Sequence, residues 1–155
     1  MRSGVRIGVD VGTVRIGVAR SDLHGMLATP VETVPRGDGD LARIVAIAGE
    51  LEAFEIVVGL PLALSGKHTA STADAVGFAE RLAALVTVDV RLVDERLSTV
   101  SAQAAVRNSG KSTKQTRAVI DQVAAVIILQ HALDFERSSE RSPGVVVDPD
   151  KGLQL

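Results

Sequence analysis

Three acidic side chains stand where the surrounding sequence is apolar. Asp10 lies inside "RIGVDVGTVRIGVARSD", Arg6 to Asp22; Glu95 follows Asp94 at the end of "VRLVDE"; and Asp121 interrupts "AVIDQVAAVIIL". A carboxylate in such a setting is costly unless it is paired, hydrogen-bonded or bound to a metal. Each has a modest explanation of its own. Asp10 could accept hydrogen bonds from a Gly12–Thr13 turn, Asp94 could open a loop with Glu95 as a solvated charge, and Arg117 could pair with Asp121 one helical turn later. Three such residues on three different apolar elements point instead to one acidic cluster. Like charges gathered at low dielectric repel strongly, and a divalent cation relieves the repulsion. All-oxygen ligation suits Mg²⁺ or Mn²⁺ rather than zinc. The chemistry such a site supports is in-line attack of water on a phosphodiester.

The charge pattern supplies a counterpart. From Arg96 to Ile120 there is no acidic residue, while Arg96, Arg107, Lys111, Lys114 and Arg117 are all basic. A charge run is ordinarily a solvated face. This one directly follows one candidate carboxylate and precedes another, which favours phosphate contact. Thr13, Arg96, Lys111, Lys114 and Arg117 are the candidate contacts, with Lys67 and His68 as a second set. His24, His68 and His131 are scattered without metal-ligand spacing and read as structural or solvated.

The elements that must position these residues follow from periodicity. Val5–Val11 and Val14–Arg20 read as two strands joined by a short turn. In the first, Val5, Ile7, Val9 and Val11 share one face, and Arg6, Gly8, Asp10 and Gly12 the other. Gly17 and Ala19 keep the neighbouring strand equally small, so that a helix, a metal ion or a phosphate can approach the carboxylate. "LATPVETVP" reads as a third strand at an edge, "DGDLARIVAIAGELEAF" as a helix after an Asp cap, and "EIVVGLP" as a central strand covered on both faces. "TADAVGFAERLAALV" is a second helix, "VDVRLVDE" a fifth strand and "STVSAQAAVRNSG" a short helix. "AVIDQVAAVIILQHALDF" is a long helix, apolar nearly all round and therefore buried. This order predicts an α/β fold with a mixed sheet: an antiparallel meander, then strands made parallel by helical crossovers. Residues 1–136 form the expected domain, and the polar tail 137–155 reads as disordered.

Composition excludes several classes. A chain of 155 residues fits one domain. It has no apolar run long enough for a membrane helix, and its N-terminus enters a strand pattern directly, so a cytoplasmic protein with no membrane partner is expected. The absence of Cys rules out disulfides and thiolate metal sites. A net charge of −2 is not that of a globally basic nucleic-acid binder. Three Phe with no Tyr or Trp leave little to stack bases on, so any nucleic acid must be held through phosphates and shape.

Taken together, "RIGVDVGTVRIGVARSD", "EIVVGLPLALSG", "VRLVDERLSTVSA" and "RAVIDQVAAVIIL" resemble the YqgF family, also called RuvX, from about Arg6 to Phe135. The family is described as Holliday-junction resolvases and as nucleases maturing the 5′ end of pre-16S ribosomal RNA. The resemblance implies a ribonuclease H-like fold, a five-stranded mixed sheet with helices on both faces. It also implies a catalytic and metal-binding set of Asp10, Glu95 and Asp121, with Asp94 as a weaker fourth. Related resolvases carry an acid at the end of the central strand, where this chain has Gly59-Leu60-Pro61; Glu95 is expected to take that role. The expected partner is structured RNA, pre-16S rRNA on or off the ribosome, or branched DNA, bound by a monomer or a homodimer. Symmetric cutting of a junction would require a two-fold dimer. A non-catalytic binding module is the alternative from another class. A sugar-kinase or actin-like reading of "DVGT" fails on length, because those proteins need two such domains.

Overall fold

The computed structural model describes residues 1–95 and 113–148, with the side chains of 113–119 set aside. Six strands form one sheet: β1 (Arg6–Val11), β2 (Arg15–Ser21), β3 (Ala28–Pro35), β4 (Glu55–Leu60), β5 (Asp89–Asp94) and β6 (Val145–Val146). They lie in the order β3-β2-β1-β4-β5-β6. β1, β2 and β3 form an antiparallel meander, β1, β4 and β5 run parallel, and β6 returns antiparallel on β5. This is the expected mixed sheet with one strand more. Helices α1 (Asp40–Glu50) and α2 (Ala70–Leu85) cover one face, and α3 (Thr113–Ser139) covers the other.

The two faces have different cores because β1 alternates. Ile7 and Val9 join Ile16, Val18, Ile44, Ile47, Ile56, Val58, Phe78 and Leu82 in the larger core under α1 and α2. Gly8 faces α3, where Ala19, Val57, Ala125, Ile128, Leu129, Ala132 and Leu133 form the smaller one. β4 is buried along its whole length, as a central strand covered on both faces must be.

Three local expectations change. The β1–β2 reversal is centred on Thr13 and Val14, one residue later than expected, with the Gly12 N–H donating to the Arg15 carbonyl at 2.9 Å. No Asp side chain caps α1: Gly39 holds the N-cap position with φ 90°, a left-handed conformation that suits glycine, and Asp40 lies in the first turn. The tail read as disordered from residue 137 is ordered as far as Asp148. α3 continues to Ser139, Val145 and Val146 pair with Leu92 and Arg91, and Val147 is buried in the larger core. Three consecutive valines have the β propensity and apolar area to close an open sheet edge, which outweighs the polar composition around them. The short helix expected over 98–110 lies outside the described residues.

The sheet end formed by the starts of β1, β4 and β5 is clamped by buried charge. Glu55 and Glu136 are almost fully buried. Glu55 accepts from Arg2 at 2.9 Å and from Arg91 at 2.7 Å. Glu136, near the end of α3, pairs with Arg2 and accepts from Arg6 at 2.7 Å. Burial works against ionising Glu136, but the hydrogen bonds and charges of Arg2 and Arg6 outweigh it and hold its carboxyl below the ordinary range. A carboxyl held low adds stability above its unfolded pKa and loses it as pH falls through its folded value. Glu136→Gln, which leaves the buried Arg6 guanidinium short of its counter-ion, is therefore expected to cost on the order of 3 kcal/mol at neutral pH. Urea denaturation across a pH series checks both the loss and its disappearance in acid.

Candidate active site

The parallel ladder brings the C-terminal ends of β1, β4 and β5 side by side, the place where ligands gather in such sheets. β1 brings Asp10, which stands opposite Gly17 of β2. The Glu95 N–H donates to the Leu60 carbonyl at 3.3 Å, extending the β4–β5 ladder by one residue and setting Glu95 beside β4. Its carboxylate lies over Gly59, where a Cβ would stand 2.2 Å from Glu95 Oε2. The acid expected to replace a central-strand carboxylate thus occupies the space above the end of that strand. α3 brings Asp121, whose backbone carbonyl rests against Gly17.

Asp10 and Glu95 are partly buried and close enough that each shifts the titration of the other. Burial, the Asp10 charge and the Asp10 contact, with Asp94 adding its charge, push Glu95 up to about 8. Burial and the Asp121 charge push Asp10 up to about 6, against the contact with Glu95. Among the described residues the buried Glu95 Oε2 has no hydrogen-bond partner. Asp121 is held differently. Arg15 of β2 donates from Nε to its Oδ2 at 2.7 Å, with the two side chains 31% and 16% exposed. Among the described residues no three acidic or His side chains are drawn together closely enough to hold an ion. The expected three-carboxylate cluster is thus a joined pair with its third member turned to an arginine.

An all-oxygen set with one orphaned buried oxygen and a surplus of negative charge fits a hard divalent cation. Asp10 and Glu95 are the residues placed nearest to hold it, while Asp121 is paired with Arg15.

Asp94 is exposed at the strand end and acts on Glu95 through its charge. Thr13 is exposed at the tip of the β1–β2 turn. Lys67 and His68 are exposed on a small hairpin after β4, closed by the Leu62–His68 bridge and the Ala63 N–H donating to the Lys67 carbonyl at 3.0 Å. His24 and His131 are exposed as well. Arg96, Arg107 and Lys111 lie outside the described residues. Lys114 and Arg117 fall in the first turns of α3, where the side chains are not described.

Two arginines escaped the sequence reading. Arg15 shares the face of Gly17 and Ala19, and the two-residue period of the strand could have revealed it. Arg36, just past β3, donates at 2.8 Å both to the Gly12 carbonyl and to Asp74 of α2, tying the β1–β2 turn to the opposite helix layer. Nothing in the local sequence points to that tie.

The mixed sheet, its helices on both faces and the acids at the strand ends define a ribonuclease H-like fold. The same architecture occurs in RuvC of Thermus thermophilus. Its structure with a Holliday junction substrate superposes with a TM-score of 0.57 at 16% identity, covering 90% of this chain and 99% of that one. The RuvX family, described as Holliday junction resolvase, matches residues 4–135, and the chain belongs to it. A protein of Leifsonia xyli described as "Putative pre-16S rRNA nuclease" is 66% identical over 98% of this chain and 99% of its own length. One of Thermobifida fusca with the same description is 50% identical over 96% and 98%.

Two outcomes follow from this geometry. Gly59→Ala is expected to displace the Glu95 carboxylate and to crowd the buried Ile128, whose Cδ1 would lie 2.7 Å from the new methyl, at a modest cost in stability. Unchanged circular dichroism with lost activity is the expected pair of readings. The second concerns pH. An acid whose folded pKa is raised binds its proton more tightly folded than unfolded, so metal-free stability falls as pH rises through the range from about 4 to 8. Glu95→Gln is expected to melt higher than wild type at pH 8 in chelator, and differential scanning calorimetry checks it.

Proposed function

We propose that this chain is a metal-dependent endonuclease that hydrolyses phosphodiesters of structured RNA, with Asp10, Glu95 and Asp121 as its catalytic and metal-binding residues and the 5′ end of pre-16S rRNA as its substrate. That it is a hydrolytic nuclease rests on its family. The observation that supports the site is the Glu95 carboxyl over Gly59, with its orphaned oxygen, and the raised pKa values it shares with Asp10. Mg²⁺ or Mn²⁺, when bound there, would activate a water molecule and stabilise the leaving oxygen. The chain's own groups do the rest. Asp10, Glu95 and Asp121 would hold the cation through their carboxylate oxygens, and Glu95 at the strand end would orient the water. Thr13 at the turn tip, with Arg96, Lys111, Lys114 and Arg117, contacts phosphates. The substrate comes from the names of highly identical relatives spanning nearly the whole chain. Such a protein works in the cytoplasm; among the described residues no helix is long and apolar enough to cross a membrane.

The family description favours branched DNA as a second substrate. One panel tests both: a pre-16S rRNA fragment, a four-way DNA junction and unstructured controls, each with Mg²⁺, Mn²⁺ or chelator, using wild type, Asp10→Asn and Glu95→Gln. Cutting of the RNA fragment that needs metal and falls by a factor of a hundred or more in both variants is the expected result. Cutting of the junction alone would move the substrate to DNA. Salt-sensitive binding without cutting, equal in wild type and variants, would make the chain a binding module.

A further inference from the structure

Arg15 differs from the other arginines that hold acids on this face of the sheet. Arg6 is fixed from several sides, by the Gly4 and Arg2 carbonyls as well as Glu136, and its side chain is only 2% exposed. Arg15 touches Asp121 through Nε alone, and its two terminal nitrogens have no hydrogen-bond partner among the described residues. Its backbone is pinned by the Gly12 N–H, yet its side chain is 31% exposed at the rim of the site. Asp121 is likewise fixed only in its backbone, packed on Gly17, while the next residue, Gln122, donates to Thr33 Oγ1 at 2.9 Å. Both side chains can turn without moving an element.

We propose that Arg15 is a transferable counter-ion: it neutralises Asp121 while no cation is bound, releases it when a cation binds, and then takes a phosphate of the nucleic acid. This rests on the metal-site reading above. The three carboxylates are not gathered while Arg15 holds the third. A guanidinium and a divalent cation also repel each other across one carboxylate. The freed guanidinium keeps its charge and its planar fork, whose geometry matches a phosphate as well as a carboxylate. Charge therefore stays balanced at each stage: arginine against Asp121 before the cation, arginine against phosphate after it. The hand-over makes substrate affinity depend on the cation through the protein, apart from any direct contact between cation and substrate.

The test uses the full chain with Arg15→Gln and Arg15→Lys, both checked for an unchanged fold by circular dichroism. Without nucleic acid, calorimetric titration with Mn²⁺ is expected to show Arg15→Gln binding the ion about fivefold tighter than wild type, because no ion pair has to be broken first. Arg15→Lys should lie between them. Binding of the pre-16S fragment and the four-way junction is then followed against salt, in Ca²⁺ at low temperature and in chelator. In the divalent ion, Arg15→Gln should lose about one phosphate contact, a slope smaller by roughly 0.7 to 0.9, and Arg15→Lys should restore it. In chelator the slopes should coincide. Equal Mn²⁺ affinity in wild type and Arg15→Gln, or the same slope change with and without divalent ion, overturns the hand-over and makes Arg15 a fixed strut. Failure of wild type itself to bind Mn²⁺ overturns the metal-site reading and the hand-over together.

Discussion

The separation between α3 and the sheet is set by glycine. A Cβ on Gly17 would stand 1.8 Å from the Asp121 carbonyl oxygen, and one on Gly8 would stand 2.7 Å from Leu129 Cβ and 3.0 Å from the Ala125 carbonyl. The helix backbone is thus seated on β2 and β1, where no side chain intervenes. Gly59 on β4 leaves room instead for side chains, the Glu95 carboxylate and Ile128 of α3. Gly17 of β2 and Gly59 of β4 flank Asp10 at one level of the sheet and Gly8 lies two residues below it on β1, so small residues surround the place where acids from a strand, a strand end and a helix converge. With a methyl at Gly17 the helix backbone must move, and Asp121 with it. The loss of apolar contact on this face is offset by the larger core on the other, where β-branched residues and Phe78 are fully buried.

Much of this was legible in local pattern. Alternation in β1 separated Asp10 from Ile7 and Val9 and put it on the small-residue face, and the apolar run of β4 announced a strand covered on both sides. The three acids could be selected one by one because each violates the pattern of its own element. The sequence reading did not reach contacts made between elements. Arg15 was not singled out, because its meaning depends on α3 returning across β2 more than a hundred residues later. Arg36 gains its role from Gly12 and Asp74 together. The clamp of Arg2, Arg6 and Arg91 on Glu55 and Glu136 joins strands and a helix far apart in the chain. β6 was missed because composition was averaged over a tail whose three valines do the pairing. Local sequence reveals which side chain is out of place; the register and packing of distant elements decide what it meets.

The two ends of the sheet treat buried carboxylates in opposite ways. At the end where β1, β4 and β5 start, three guanidiniums meet two acids, and Glu136 is held ionised with every described contact pulling in that direction except burial itself. At the other end Asp10 and Glu95 face each other: burial and the Asp121 charge push Asp10 up, and burial and the Asp10 charge push Glu95 up. α3 reaches both ends, carrying Glu136 to the first and Asp121 to the second. A helix anchored so firmly at one end can hold an unfavourable arrangement at the other without the sheet opening, since the strained groups are a few side chains beside a well-packed core. The excess negative charge is therefore stored at a fixed position. On the reading proposed above, a cation entering there would meet the Asp10 and Glu95 oxygens and would have to take Asp121 from Arg15 before the set closed.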